Sequence, residues 1–95
     1  MLKMNPKPTD LALHFVVNQS GQNADRMLVE KVAHEMGKKL SQKRDAGYKG
    51  WHGPNCTNEI LLESLKEHVE KGDMVDVINY AGMILCRSEL YGDTA

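Results

Sequence analysis

Ninety-five residues, 41% hydrophobic and 26% charged with a formal net charge of −1, describe one ordinary globular domain near the lower size limit for folding alone. That balance excludes wholesale disorder, and it excludes a polyanion binder driven by overall charge. Aromatic residues make up 5% of the chain and methionine is plentiful at six, so a core must be built from Leu, Ile, Val and Met, and self-association is the expected way to enlarge it.

Residues 1–10 read as an extended lead-in, because Pro6 and Pro8 oppose a helix. In residues 11–17 the alternation of Leu11, Leu13, Phe15 and Val17 suits a strand, while Thr9 or Asp10 could equally cap a short helix. No second strand signal follows, which tips the balance toward the helix. Asn18 to Asn23 is a turn or linker on composition. The expected organisation is a lead-in over 1–23, a single helical domain over 24–92 and a frayed tail over 93–95.

From Ala24 to Ala46 the apolar residues Leu28, Val32, Met36 and Leu40 recur every four positions, predicting a helix. Gly37 inside it costs up to about 1 kcal/mol relative to Ala unless another helix packs closely there. Gly47 supplies the stop, and Gly50, Gly53 and Pro54 mark a loop. Thr57 is the expected N-cap of a helix running to Lys71, with Leu61, Leu62, Leu65 and Val69 as its apolar face. Gly72 suits a left-handed stop, and Asp73 is placed to cap the last helix, Met74–Leu90, which packs through Val77, Ile78, Ala81, Ile84 and Leu85. The predicted class is mainly α: a small helical bundle with a C-terminal antiparallel helical hairpin, completed by oligomerisation.

Charge is segregated along the chain. Residues 38–52 carry Lys38, Lys39, Lys43, Arg44 and Lys49 against Asp45, whereas residues 57–76 carry six acids against Lys66 and Lys71. The basic stretch also holds Tyr48, His52 and the only tryptophan, Trp51, on a glycine-punctuated loop. Trp51 alone reads slightly better as a hydrophobic plug between helices, and lysines at a helix C-terminus are favourable with its dipole anyway. Their coincidence shifts the reading toward a surface that holds a flat anion: rings stack on a base, cations meet phosphates and glycines let the backbone approach. Lys43, Arg44, Tyr48, Lys49, Trp51 and His52 are therefore candidate ligand-binding residues.

On the last helix, Asp76, Asn79, Tyr80, Met83 and Arg87 share one face. This polar face reads equally as an interhelical network or as the wall of a pocket or interface, and Asn79, Tyr80 and Arg87 join the candidate set. The acids offer a competing reading. Carboxylates on neighbouring helices hold magnesium in all-α nucleotide pyrophosphohydrolases, and Glu63, Glu67 and Asp76 are the candidates for such an enzyme here. This chain has Glu63 and Glu67 one turn apart and Asp73-x-x-Asp76 soon after, so it resembles that family's EExxE and ExxD motifs only in part. His52 and Cys56 lack the paired partners of a zinc site, and nothing marks Cys56 or Cys86 as an activated thiolate. No catalytic residue and no cofactor is expected, magnesium belonging only to the enzyme alternative.

Three segments resemble a group of small bacteriophage and prophage proteins: Lys43-Arg44-Asp45-Ala46-Gly47-Tyr48-Lys49-Gly50-Trp51, Pro54-Asn55-Cys56, and Glu67-His68-Val69-Glu70-Lys71-Gly72-Asp73-Met74-Val75-Asp76-Val77-Ile78-Asn79. They match a KRxxGxGGW, PxxC and EHVxKGDxxDVxN pattern, with Lys49 in place of the first of the paired glycines. The resemblance covers about half the chain and implies a phage accessory protein, with counter-defence proteins that trap nucleotide signals among the possibilities of this size. The expected partner is a nucleotide-like small anion, held without cleavage by a homo-oligomer, with neither membrane nor nucleic acid as partner. A host-factor inhibitor acting through the Met-rich helix is a further alternative. With no secretory signal and no apolar run near the roughly 20 residues of a spanning helix, the expected location is the host cytoplasm.

Overall fold

The computed structural model describes residues 20–92. The expectations for residues 1–19 and for the tail at 93–95 lie outside the described residues. Three helices follow in order: α1 (Gly21–Asp45), α2 (Asn58–Lys71) and α3 (Met74–Leu90), with no strand among the described residues. The mainly helical class is as predicted, and no helix among the described residues is long and apolar enough to cross a membrane.

Helix α1 begins three residues before the predicted start. The turn-like composition at Ser20 to Asn23 is itself the cap: the Asn23 N–H donates to Ser20 Oγ at 3.2 Å, and the Ala24 N–H to the Ser20 carbonyl at 2.9 Å. A division of the chain into two compact units falls inside α1, between Val32 and Ala33. In the first unit, Arg26 is held along the helix surface by Asn23 Oδ1 (3.1 Å) and Glu30 (4.0 Å), while Leu28 and Val29 are exposed.

The second unit contains the rest of α1 together with α2 and α3. Its two glycine stops use the same backbone solution. At α1 the N–H of Gly47 donates to the Arg44 carbonyl (3.0 Å) and that of Tyr48 to the Lys43 carbonyl (2.9 Å), Gly47 sitting at φ 96°. At α2 the N–H of Gly72 donates to the Val69 carbonyl (3.1 Å) and that of Asp73 to the His68 carbonyl (3.0 Å), with Gly72 at φ 79°. Both are Schellman motifs, and both need the left-handed conformation that glycine adopts without penalty. Thr57 caps α2 as expected, its hydroxyl accepting from the Ile60 N–H at 3.2 Å. Asp73 differs from expectation: it occupies the N-cap position of α3, yet its side chain makes no capping hydrogen bond. Its carboxylate lies instead near His68 and Asp76.

Helices α2 and α3 approach each other closely. Packing inverts a simple expectation. Among the described residues Leu61 is the one buried apolar side chain, and it is outnumbered by the buried polar residues Asp76, Asn79 and Arg87. Leu62, Val69 and Leu85, assigned to apolar faces by their spacing, remain exposed. The polar face of α3 is therefore the one turned inward. Buried polar groups are tolerated only when they find partners, so those partners decide what this face does.

Candidate functional site

The second unit holds a cavity of about 620 Å³, within the range of small-molecule sites. Leu40, Lys43 and Arg44 reach it from the C-terminal turns of α1, and Tyr48, Lys49, Gly50 and Trp51 from the loop. Ile60, Leu61 and Ser64 of α2, and Asp76, Asn79, Tyr80 and Met83 of α3, form the opposite wall. Of the nine residues singled out from sequence, Lys43, Arg44, Tyr48, Lys49, Trp51, Asn79 and Tyr80 are thus gathered around one space.

Among the described residues no carboxylate pairs with Lys43, Arg44 or Lys49. Lys43 Nζ sits over the Tyr48 ring, 5.0 Å from its centroid. In a Schellman motif the residues at these two positions commonly make an apolar contact. Here a cation–π contact takes that place and leaves Tyr48 69% exposed. Trp51 is half-buried. It also lines a second, mostly apolar cavity of about 140 Å³ with Met36, Gly82 and Cys86, so it is neither a sealed plug nor a free surface ring.

Two predicted residues do other work. Arg87 is buried and does not line the cavity: its Nε donates to Asn58 Oδ1 (3.1 Å), and one Nη donates to the carbonyls of Trp51 (2.9 Å) and Gly53 (2.8 Å). The Tyr91 ring packs over the guanidinium at 4.5 Å, and the Tyr91 hydroxyl donates to the His52 carbonyl at 2.6 Å. The end of α3 thereby pins the backbone of the loop that carries Trp51. His52 is exposed, and its ring meets the edge of Trp51 at 5.6 Å. Both residues hold the loop in shape; neither faces the cavity.

The α3 wall is polar and sealed. Asp76 Oδ2 lies 3.6 Å from Lys39 Nζ and 3.7 Å from His68 Nε2, and the His68 Nδ1–H donates to the Ser64 carbonyl at 2.7 Å. Lys39 was counted in the basic run without a separate role. Its spacing of four from Lys43 places both on one face of α1, a signal that separates it from Lys38, which pairs with Glu35 at the surface. Tyr80 packs against His68 at 5.1 Å. Burial, with the Asp76 carboxylate second, pushes the Tyr80 phenol above its usual pKa, partly offset by a hydrogen bond with Ser64, so it stays a neutral hydroxyl. Asn79, only 4% exposed, has an Oδ1 that is closed to solvent and accepts no hydrogen bond among the described residues. Leaving such an acceptor unmet costs about 1–3 kcal/mol.

The carboxylates proposed for magnesium are arranged differently from the expected set. Glu63 and Glu67 are exposed on α2, and the cluster of three possible ligands among the described residues is His68, Asp73 and Asp76, whose ligand atoms lie within 4.8 Å of one another. An imidazole, an exposed carboxylate and a carboxylate already facing Lys39 match poorly with the all-oxygen octahedron that magnesium prefers. Comparison with protein-family models, with curated proteins and with solved structures finds no match for this chain.

Proposed function

We propose that this protein holds a nucleotide or nucleotide-derived signal without cleaving it. The observation that carries the reading is the meeting, around one cavity of about 620 Å³, of Lys43, Arg44 and Lys49 with the rings of Tyr48 and Trp51 and the polar side chain of Asn79. The cations serve the phosphates and a ring stacks on the base, each stacked base contributing about 1–3 kcal/mol. The resemblance to small phage proteins fits an accessory role in the host cytoplasm, where capturing a nucleotide signal would counter a defence response.

Self-association belongs to the same proposal. One buried apolar side chain among the described residues, with Leu62, Val69, Met74 and Leu85 exposed, leaves apolar surface for further copies to cover. In this arrangement α2 and α3 form the antiparallel hairpin of a bundle completed between protomers. Sedimentation of the purified protein should give a mass above 10.7 kDa, and a monomer at micromolar concentration would remove this part.

Calorimetry with a panel of linear and cyclic nucleotides tests the central claim. Binding is expected for the wild type and at least tenfold weaker for Arg44→Ala; a panel without any binder would end the proposal. Incubation with magnesium should return the nucleotide intact. Release of pyrophosphate, abolished by Glu67→Gln, would transfer the protein to the hydrolase reading.

A further inference from the structure

Accepting the nucleotide-binding reading, we infer that Trp51 is the fixed ring on which the base stacks, and that Tyr91 and Arg87 are positioning residues that hold it ready. Neither of these two lines the cavity. Both act on the backbone that carries the indole. Trp51 and His52 are the central residues of a tight turn, closed by the Gly53 N–H donating to the Gly50 carbonyl at 3.0 Å. The end of α3 then takes up three successive carbonyls of that turn. One Arg87 Nη serves those of Trp51 (2.9 Å) and Gly53 (2.8 Å), and the Tyr91 hydroxyl donates to the one between them, that of His52 (2.6 Å). The guanidinium is itself braced, buried with Asn58 Oδ1 on its Nε and the Tyr91 ring over its face. A turn closes with one hydrogen bond of its own, so these further bonds add something else: they fix the direction in which the turn presents its side chains.

The two rings at the cavity are held very differently. Tyr48 is exposed, and the contact on its ring is with the flexible Lys43 side chain. Trp51 is half-buried, its backbone is clamped, and the His52 ring meets its edge at 5.6 Å. A ligand that stacks on a ring already in place avoids the cost of ordering that ring, which is the physical content of preorganisation. Trp51 is therefore the platform, and Tyr48 offers a second surface beside the cations that serve the phosphates. Stacking of this kind tolerates any base, because every base has a π-face.

Indole emission tests the assignment directly, since Trp51 is the only tryptophan. Each nucleotide of the panel that binds by calorimetry should quench the emission in a saturable titration. Inorganic tripolyphosphate, with no ring to stack, should leave it nearly unchanged. Trp51→Leu should weaken nucleotide binding about tenfold or more. Tyr91→Phe, which removes the hydroxyl and keeps the ring over Arg87, should weaken it about two- to tenfold, the cost of ordering one side chain on binding. In a Trp51→Leu background the same change should cost less than about twofold, because Tyr91 acts through the indole. Arg87→Lys should follow the same pattern in the two backgrounds. Equal losses with and without the indole would make the clamp merely structural and overturn the positioning role. Binding without quenching overturns the stacking assignment and leaves nucleotide binding standing. The emission titration uses wild-type protein, so a folding defect in a variant cannot hide its result. Absence of binding across the panel overturns both readings.

Discussion

At the end of α1 and at the end of α2 the backbone does the same thing: a glycine turns left-handed, at φ 96° for Gly47 and φ 79° for Gly72, and two N–H groups fold back onto the last carbonyls. What surrounds the two stops differs. Near Gly72 the His68 side chain turns inward, although Val69, Asp73 and Met74 stay exposed. The carbonyl that closes the motif belongs to His68, whose ring contacts Tyr80 and faces Asp76. Around Gly47 the corresponding side chain turns outward: Lys43 lies over an exposed Tyr48, and Arg44 and Lys49 have no acidic partner among the described residues. Backbone geometry is satisfied equally at both stops, so it does not account for the cations and ring kept at one of them. On the function proposed above, the α2 stop belongs to the packed structure and the α1 stop serves the ligand.

The largest test of this contrast acts on the clamp that shapes the loop after Gly47. Arg87→Ala removes a buried cation together with its hydrogen bonds to the carbonyls of Trp51 and Gly53 and to Asn58 Oδ1. Hydrogen bonds to charged groups contribute about 1.5–3 kcal/mol, so a loss of about 3 kcal/mol is expected in urea unfolding. Trp51 fluorescence should report the loop's release, since it is the only tryptophan. Arg87→Lys should restore little, because an ammonium lacks the planar fork that serves three acceptors together. A loss below 1 kcal/mol would mean that the loop is held by something else.

Next in size are the glycines themselves. No atom lies within 4 Å of a Cβ built on Gly47 or Gly72, so the penalty for Ala is conformational, about 1–2 kcal/mol at each. Equal destabilisation of Gly47→Ala and Gly72→Ala in thermal unfolding would confirm that the stops are equivalent as backbone. Only Gly47→Ala should also weaken nucleotide binding. If Gly72→Ala weakened it as much, the division between a structural stop and a functional one would fail.

Gly37, ten residues before the α1 stop, should behave in the opposite way. It is exposed in the helix interior, and nothing approaches the position of a Cβ. Close packing against another helix, the one reason for tolerating it on sequence grounds, is not found there among the described residues; Gly82 is instead the glycine that a side chain approaches, Met36 Cε lying 3.6 Å from its Cβ position. Gly37→Ala should therefore stabilise the protein by up to about 1 kcal/mol. Destabilisation would point to a contact outside the described residues.

The helices, both glycine stops and the Thr57 cap were readable in the sequence because each depends on local chemistry. The gathering of Lys43, Arg44, Tyr48, Lys49 and Trp51 was readable for the same reason, since a helix end and one short loop carry them all. The role of Arg87 was not. Its acceptors include backbone carbonyls 34 and 36 residues away, and a carbonyl has no identity in a sequence. The start of α1 was missed because Ser20 and Asn23 have the same composition whether they form a linker or a cap. Spacing placed Asp76, Asn79, Tyr80, Met83 and Arg87 on one face. Only the fold could reveal that this polar face is buried while Leu85 is exposed.

The smallest expected effect is the most direct probe of the contrast between the stops. If the Lys43–Tyr48 contact existed to stabilise α1, a double-mutant cycle with Lys43→Met and Tyr48→Leu should give a substantial coupling. Exposed cation–π pairs contribute about 0.5–1 kcal/mol, and with Tyr48 mostly exposed the lower end is expected, about 0.5 kcal/mol. The same two substitutions should weaken nucleotide binding about tenfold each, because one removes a phosphate partner and the other a stacking surface. A coupling in stability well above 1 kcal/mol with unchanged affinity would make the pair a helix cap, and the two stops would then differ in their side chains without differing in purpose.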